Sequence, residues 1–356
     1  MSKRKSTPNL VASSNIITIG LDIGYGVVKA ITNDVVITFP SVMGHARELK
    51  FAQDDIAGRH PGDQITDDDG SWFVGDLALS QLPPGEMLRL RGRTANESTM
   101  GNAFRLRLAK VAIGKLVTHL WEGNYGSSDI AHIRLASGLP VDHMRDAAEF
   151  KATFMGQHII KTDTAQLVAN ISEVMVMPQG YGSIYAMSLT DGGEINRQHT
   201  YRRTGVCDVG TYTVDLALDD GGEYVDAESG SVESGVYTAQ ERIAAVLERD
   251  HRQKMPFKLV EEVLRTGVFH ASGKPIDYRI MVDEALDPLR SATLSLMSEK
   301  WHAGATIDVI YLSGGGAELI FEDVKAVYPQ AQLLPQAQLA NARGYLNYAR
   351  FVVRQG

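Results

Sequence analysis

"GLDIGYGVVKAITN", residues 20–33, carries an apolar run into an acid, a glycine, one further residue and a second glycine. It then resumes as Val27-Val28-Lys29-Ala30. "CDVGTYTVDLALDD", residues 207–220, repeats the device, with Asp208 in the place of Asp22 and Gly210 in that of Gly24, 208 − 22 = 186 residues further on. Each reads as a strand that stops on an acid, turns at glycine and returns as a second apolar strand. Glycine at the tip leaves backbone N–H groups with no Cβ over them, which makes a small anion-binding concavity. Two such turns facing each other can grip a polyphosphate from both sides. The acid at each strand end would repel phosphate unless a cation lay between, so Asp22 and Asp208 point to Mg²⁺ held largely through water. Lys29 can neutralise phosphate charge from the first hairpin. Thr211 and Thr213 add hydroxyls on the second, and Asp215, two residues beyond Thr213, is expected on the same strand face.

A third element is "LSGGGAEL", residues 312–319, a strand running into Gly314, Gly315 and Gly316 and then into a helix. Three glycines let the backbone lie flat against a ligand, with a helix N-terminus facing it. The spacing is neither the G-x-G-x-x-G of a dinucleotide fold nor the G-x-x-x-x-G-K-[ST] of a P-loop. In this order it fits the adenosine side of a nucleotide.

The chain has 356 residues, 44% hydrophobic and 22% charged, with a formal net charge of −8. That length suits two domains with a well-buried core, and the charge offers no overall basic field for nucleic acid or anionic lipid. The exception is local: Lys3, Arg4 and Lys5 lie in residues 1–14, expected to be a disordered, solvated tail. No apolar run reaches the roughly 18 residues of a membrane helix, and Ile16 to Ile23 is a poor secretory signal, so a cytoplasmic protein is expected. One cysteine, Cys207, excludes an internal disulfide framework and reads as a small core residue. The ten histidines show no metal-binding spacing. Asp67-Asp68-Asp69 before Gly70 reads as a solvated turn, because it does not match a calcium loop.

From Ile16 the pattern predicts three strands, "IITIGLD", "VVKAIT" and "VVITFP". A small, loop-rich insertion follows at about 40–100, with a strand at "SWFVGDLA". Helices are predicted at 103–121 and 141–155 around a strand at 132–140, then strands over 158–177 and a short helix at 179–189. The second set comprises "TGVCDVG", "TVDLALD" and "EYVDAESG", followed by helices at 237–250, 257–265 and 281–302. A strand at 306–316 and a helix at 338–353 close the chain. One architecture thus occurs twice, in an α/β chain with no low-complexity linker.

The order of motifs resembles the actin-like ATPase superfamily. "GLDIGYGVVK" resembles its first phosphate loop, "DVGTYTVDLAL" its second and "LSGGGA" its adenosine loop. "MPQGYGSIYA" and "QLANARGYLNYA" resemble its two connecting segments, and "FPSVMG", "WFVGDLA" and "ASGLP" agree. Within the superfamily the chain is similar to ParM-type plasmid-segregation actins and the related archaeal actin-like protein, over residues 15–354. The resemblance implies a duplicated, ribonuclease H-like two-domain fold with nucleotide in the cleft between domains. Domain I would be 15–178 completed by a helix at 336–356, and domain II 179–335. It implies ATP (or GTP) and Mg²⁺, with Asp22, Gly24, Tyr25, Gly26 and Lys29 from the first loop. From the second loop it implies Asp208, Gly210, Thr211, Tyr212, Thr213 and Asp215, and from the third Gly314, Gly315 and Gly316. Gln179 takes the place of the residue that orients the attacking water, Glu in many ParM proteins. Asp22 and Asp208 would hold the metal, with Asp208 aiding hydrolysis. Self-assembly into filaments is implied, with a DNA-binding adaptor as a further partner, and neither membrane nor strong direct nucleic-acid binding. A small-molecule kinase of sugar-kinase type is the alternative on the same fold, although no Asp base in a distinct substrate motif is found. A chaperone of this superfamily would want a peptide-binding domain after Gly356.

Overall fold

In a computed structural model, residues 16–49, 60–90, 98–121, 130–139, 141–199 and 202–355 are described. The expectation of a disordered basic tail falls on residues outside them. Strands β1 (Ile17–Ile23), β2 (Val27–Ile31) and β3 (Val36–Pro40) form the predicted meander. A small sheet follows, of β4 (Met43–His45), β5 (Gln64–Asp67) and β6 (Gly70–Val74) in the order β4-β6-β5, and then helix α1 (Gly75–Gln81). The expected strand "SWFVGDLA" therefore ends halfway. Gly75, at φ 59°, reverses the chain where Asp76 can begin a helix. Nor is the insertion mainly loop where it is described. Asp68 and Asp69 form the exposed turn of the β5–β6 hairpin, as expected, and Arg107, over the Trp72 ring, adds ion pairs to Asp67 and Asp69.

Helix α2 (Ser98–Leu120) leads to β7 (Ile130–Leu139), a 3₁₀ segment and α3 (Ala147–Phe154). Antiparallel β8 (Gly156–Lys161) and β9 (Gln166–Pro178) complete a six-stranded sheet, β3-β2-β1-β7-β9-β8. Ile19 and Leu21 point from β1 into the core with α2. Gly20 between them must face the other way.

Helix α4 (Tyr181–Ser188) carries the chain to a second sheet. Its strands are β10 (Arg203–Val209), β11 (Val214–Asp220), β12 (Glu223–Tyr224) and β13 (Gly230–Val232). The predicted third strand "EYVDAESG" is divided: two residues pair, a 3₁₀ turn intervenes, and β13 returns to the same edge of β11. Helices α5 (Val236–His251), α6 (Phe257–Thr266) and α7 (Arg279–Trp301) follow. Between α6 and α7 lies an unforeseen hairpin, β14 (Val268–Ala271) and β15 (Lys274–Asp277). Then come β16 (Val309–Ser313), α8 (Ala317–Val327), β17 (Ala331–Leu333) and α9 (Ala340–Gln355). The second sheet runs β12-β11-β10-β16-β17. Helix α9 leaves it and packs on β1 and β7 of the first, seating Tyr345 and Ala349 on Ala136 and Met177. Each sheet thus presents an Asp-Gly hairpin at one end of its central strands, and the two ends face each other.

Candidate functional site

Both hairpins place acid and cross-strand partner at the same register, Asp22 opposite Lys29 and Asp208 opposite Asp215. In the first, Lys29 Nζ donates to Asp22 Oδ2 at 2.9 Å, and Asp22 is only 4% exposed. Lys29 is thus already engaged by an acid, which the sequence reading did not foresee. In the second, acid faces acid, and Thr213 Oγ1 donates to Asp215 Oδ2 at 2.7 Å. One lysine stands among three carboxylates.

The loops meet tip to tip. A Cβ on Gly26 would stand 2.1 Å from Thr211 Oγ1, and the Tyr25 and Tyr212 rings meet edge to face at 5.9 Å. The first loop is pinned by Ser41, whose Oγ donates to the Gly24 carbonyl at 2.5 Å; this gives "FPSVMG" a local purpose. The second is a tight turn, Gly210 N–H donating to Thr213 O at 2.8 Å, against which the first turn of α5 is seated through Val236 and Tyr237 N–H. Gly314 has φ 90°, and a Cβ there would lie 2.3 Å from Asp208 Oδ1, so only glycine lets the third loop pass this carboxylate.

These elements enclose a cleft of about 620 Å³ including its mouth. Around it stand the first-loop residues Asp22, Gly24, Tyr25, Gly26 and Lys29, and Gln179. From the second sheet come Asp208, Gly210, Thr211, Thr213, Asp215, Gly314 and Gly315. Two expected residues are not in its wall. Tyr212 packs between Tyr25 and Tyr237 behind the loop, and Gly316 lies against Val209 and Val236 at the start of α8. Gln179 precedes α4, its backbone N–H donating to Leu139 O at 2.7 Å. Its side chain borders both the cleft and a smaller hollow lined by Arg105 and Phe150. Sequence reasoning missed Asn341 and Gln338, which reach the cleft from the last connection. Asn341 Nδ2 donates to Asp208 Oδ2 at 2.7 Å. Its only signal was its place in "QLANARGY".

Burial, with Asp215 and Asp22 nearby, pushes the Asp208 carboxyl up to about 6. The site carries more negative charge than it can neutralise, which fits a bound cation. Among the described residues no group of three or more His, Cys, Asp or Glu can hold a metal alone. A divalent ion here would draw most of its ligands from water and phosphate, as Mg²⁺ does. The cleft beside the two turns has the room, and the turns the backbone donors, for that phosphate.

Two hairpin-led sheets with an acid and a glycine turn from each on one cleft define an actin-like two-domain α/β fold. The chain belongs to the actin-like superfamily. Residues 20–182 match the family model for the N-terminal domain of actin-like proteins. Residues 206–326 match that for the C-terminal domain of the archaeal actin homologue, MreB-like. The archaeal actin homolog Ta0583 in complex with ADP is similar at 19% identity and a TM-score of 0.69, over 96% of this chain and 100% of that one. Apo psk41 ParM is similar at 19% identity and a TM-score of 0.70, over 96% and 99%. A subunit of a 15-stranded ParM filament from Clostridium botulinum is similar at 20% identity and a TM-score of 0.68, over 94% and 99%. No curated protein matches by sequence. Among the described residues no helix is long and apolar enough to cross a membrane.

Proposed function

We propose that this protein is a cytoplasmic actin-like ATPase that assembles into filaments with Mg-ATP and disassembles on hydrolysis, as a cytomotive filament of the plasmid-segregation kind. The observation that carries this is the contact of the two glycine turns beside Asp22 and Asp208, a pair of jaws with negative charge behind each. The backbone N–H groups of Gly24 to Gly26 and Thr211 to Thr213 bind phosphate. The Gly314–Gly316 loop lies on the adenosine side. Asp22 and Asp208 hold Mg²⁺ through water, and that ion neutralises the phosphate charge. Gln179 cannot take a proton as a base, so it orients the attacking water. Domain I is 15–178 with 336–356, and domain II is 179–335. A triphosphate touching both turns favours their closure. Closure fixes the surfaces of the two domains for a head-to-tail contact that repeats without closing into a ring. The similarity to ParM filament subunits supports self-association, and a DNA-binding adaptor is the further partner that such a role requires.

The test is 90° light scattering on adding Mg-ATP, followed by sedimentation and negative-stain microscopy. Scattering should rise with Mg-ATP and decay as phosphate is released. Protein that stays monomeric well above micromolar concentration, even with a non-hydrolysable analogue, would overturn the filament reading. Phosphoryl transfer to a small acceptor would then favour a kinase.

A further inference from the structure

Helix α4 packs with the second sheet, where Tyr181 and Ile184 join its core and Tyr181 Oη donates to Asp219 at 3.2 Å. Helix α9 packs on the first, and a Cβ on Gly20 would stand 2.0 Å from Ala342 O. The two helices cross at their glycines so closely that a Cβ on Gly344 would fall 1.6 Å from Gly182 O. This crossing is where the chain passes between the sheets in both directions. A buried polar chain runs through it to the cleft. Ser183 Oγ donates to Asn341 Oδ1 at 3.0 Å, and Asn341 Nδ2 donates to Asp208 Oδ2 at 2.7 Å. Ser183 is 0% exposed and Asn341 7%.

The directions of these bonds matter. The Asp208 carboxylate, which only accepts, fixes which end of the Asn341 amide faces it, and the Ser183 hydroxyl then holds the other end by donating to Oδ1. With Oδ2 held by Asn341, Asp208 Oδ1 is the oxygen beside the Gly314 turn. Ser183 and Asp208 ride with the second sheet, whereas Asn341 opens the helix that rides on the first. We infer that Asn341 is a positioning residue for the hydrolysis proposed above, its amide buttressed by Ser183. Through it, the relative placement of the two domains is felt as the orientation of the Asp208 carboxylate. Rotation at the crossing stretches the Asn341–Asp208 bond at the wall of the cleft, where water can take the place of the amide but cannot hold the carboxylate in one orientation. Domain opening therefore releases Asp208 and slows the chemistry, while the glycine turns still bind nucleotide. The inference rests on the ATPase reading, but names residues that reading does not use.

The experiment compares full-length wild type, Asn341→Ala, Ser183→Ala and the double variant. Phosphate release under saturating Mg-ATP gives kcat, a fluorescent ADP titration gives affinity, and thermal melts check folding. Asn341→Ala should lower kcat by about 10–100-fold, the range expected when a catalytic group is misplaced by about an ångström. Its ADP affinity should stay within about threefold, since an interaction made only in the transition state moves kcat alone. Ser183→Ala should fall in the same direction by a smaller factor. It should add nothing in the Asn341→Ala background, because it acts only through that amide. Equal losses of kcat and affinity, or independent losses in the double variant, would reduce the chain of bonds to a structural role and overturn the inference. If Asn341→Ala does not fold, Ser183→Ala decides alone, because it deletes one oxygen: unchanged kcat sinks the proposal. Wild type without hydrolysis removes both this inference and the ATPase reading; active wild type with unaltered variants removes only this one.

Discussion

Asp208 faces an acid where Asp22 faces a lysine, and this single difference sets the charge of the site. Its carboxyl, raised from 3.8 to about 6, contributes stability when protonated. That stability is fully present below the unfolded value and is lost as pH rises through 6, a cost of about 3 kcal/mol at neutral pH. Asp208→Asn keeps the acceptor for Asn341 and removes the charge. We expect it to raise the thermal midpoint of nucleotide-free protein at pH 7.5, with a gain that shrinks steadily toward pH 4. A pH-independent difference in melting scans would refute this origin, and the same variant should lose most ATP hydrolysis. Gln179→Ala should slow phosphate release about 10-fold or more while leaving assembly intact, so that filaments persist in sedimentation assays. Turnover as fast as wild type would make Gln179 a structural residue only. The Asp-Gly turns were legible in the sequence because strand, acid and glycine are contiguous and the pattern occurs twice. Asn341 and Ser41 were not, since each acts on a partner fixed only by the packed fold, 133 residues away for Asn341.

Elements that read themselves locally, the meanders and the long helices, stood out in the sequence; those that depend on a neighbour were misread. "WFVGDLA" opens with apolar strand formers, yet Gly75 turns its second half into α1 under Phe39, a contact sequence periodicity does not register. The hairpin β14–β15 was hidden between two amphipathic helices. Its signal was the Ser272-Gly273 pair, both at positive φ, which is the signature of a two-residue hairpin turn. The α4–α9 crossing was legible only as small residues at the right places. Gly344→Ala forces a methyl group onto the Gly182 carbonyl, and overpacking of this kind costs about 1–3 kcal/mol or more. Denaturant titration should show a lower midpoint of that order. Gly85→Ala, which meets nothing within 4 Å, should not move it.

Across the whole molecule, a further contact joins the insertion to the second half of the chain. Arg89, at the end of the insertion, lies 5.0 Å from the centre of the Phe257 ring at the start of α6. A cation–π contact at such a surface is worth about 0.5–1 kcal/mol, or about 2–5-fold in an opening equilibrium. Phe257→Ala should therefore speed release of a fluorescent ADP about 2–5-fold in stopped flow. An unchanged rate would mean that the cleft opens without parting these residues. The return of α9 to the first sheet has a consequence in the order of synthesis. Gly20, Ala136 and Met177 wait for a helix that the ribosome makes only after the entire second sheet. Gly182 and its partner Gly344 are 344 − 182 = 162 residues apart. At about 5–20 residues per second, roughly 8–30 s separate them. The emerging half-protein thus keeps one flank of its sheet bare, and its cleft without Asn341. Only a chain translated past both domains can assemble the jaws.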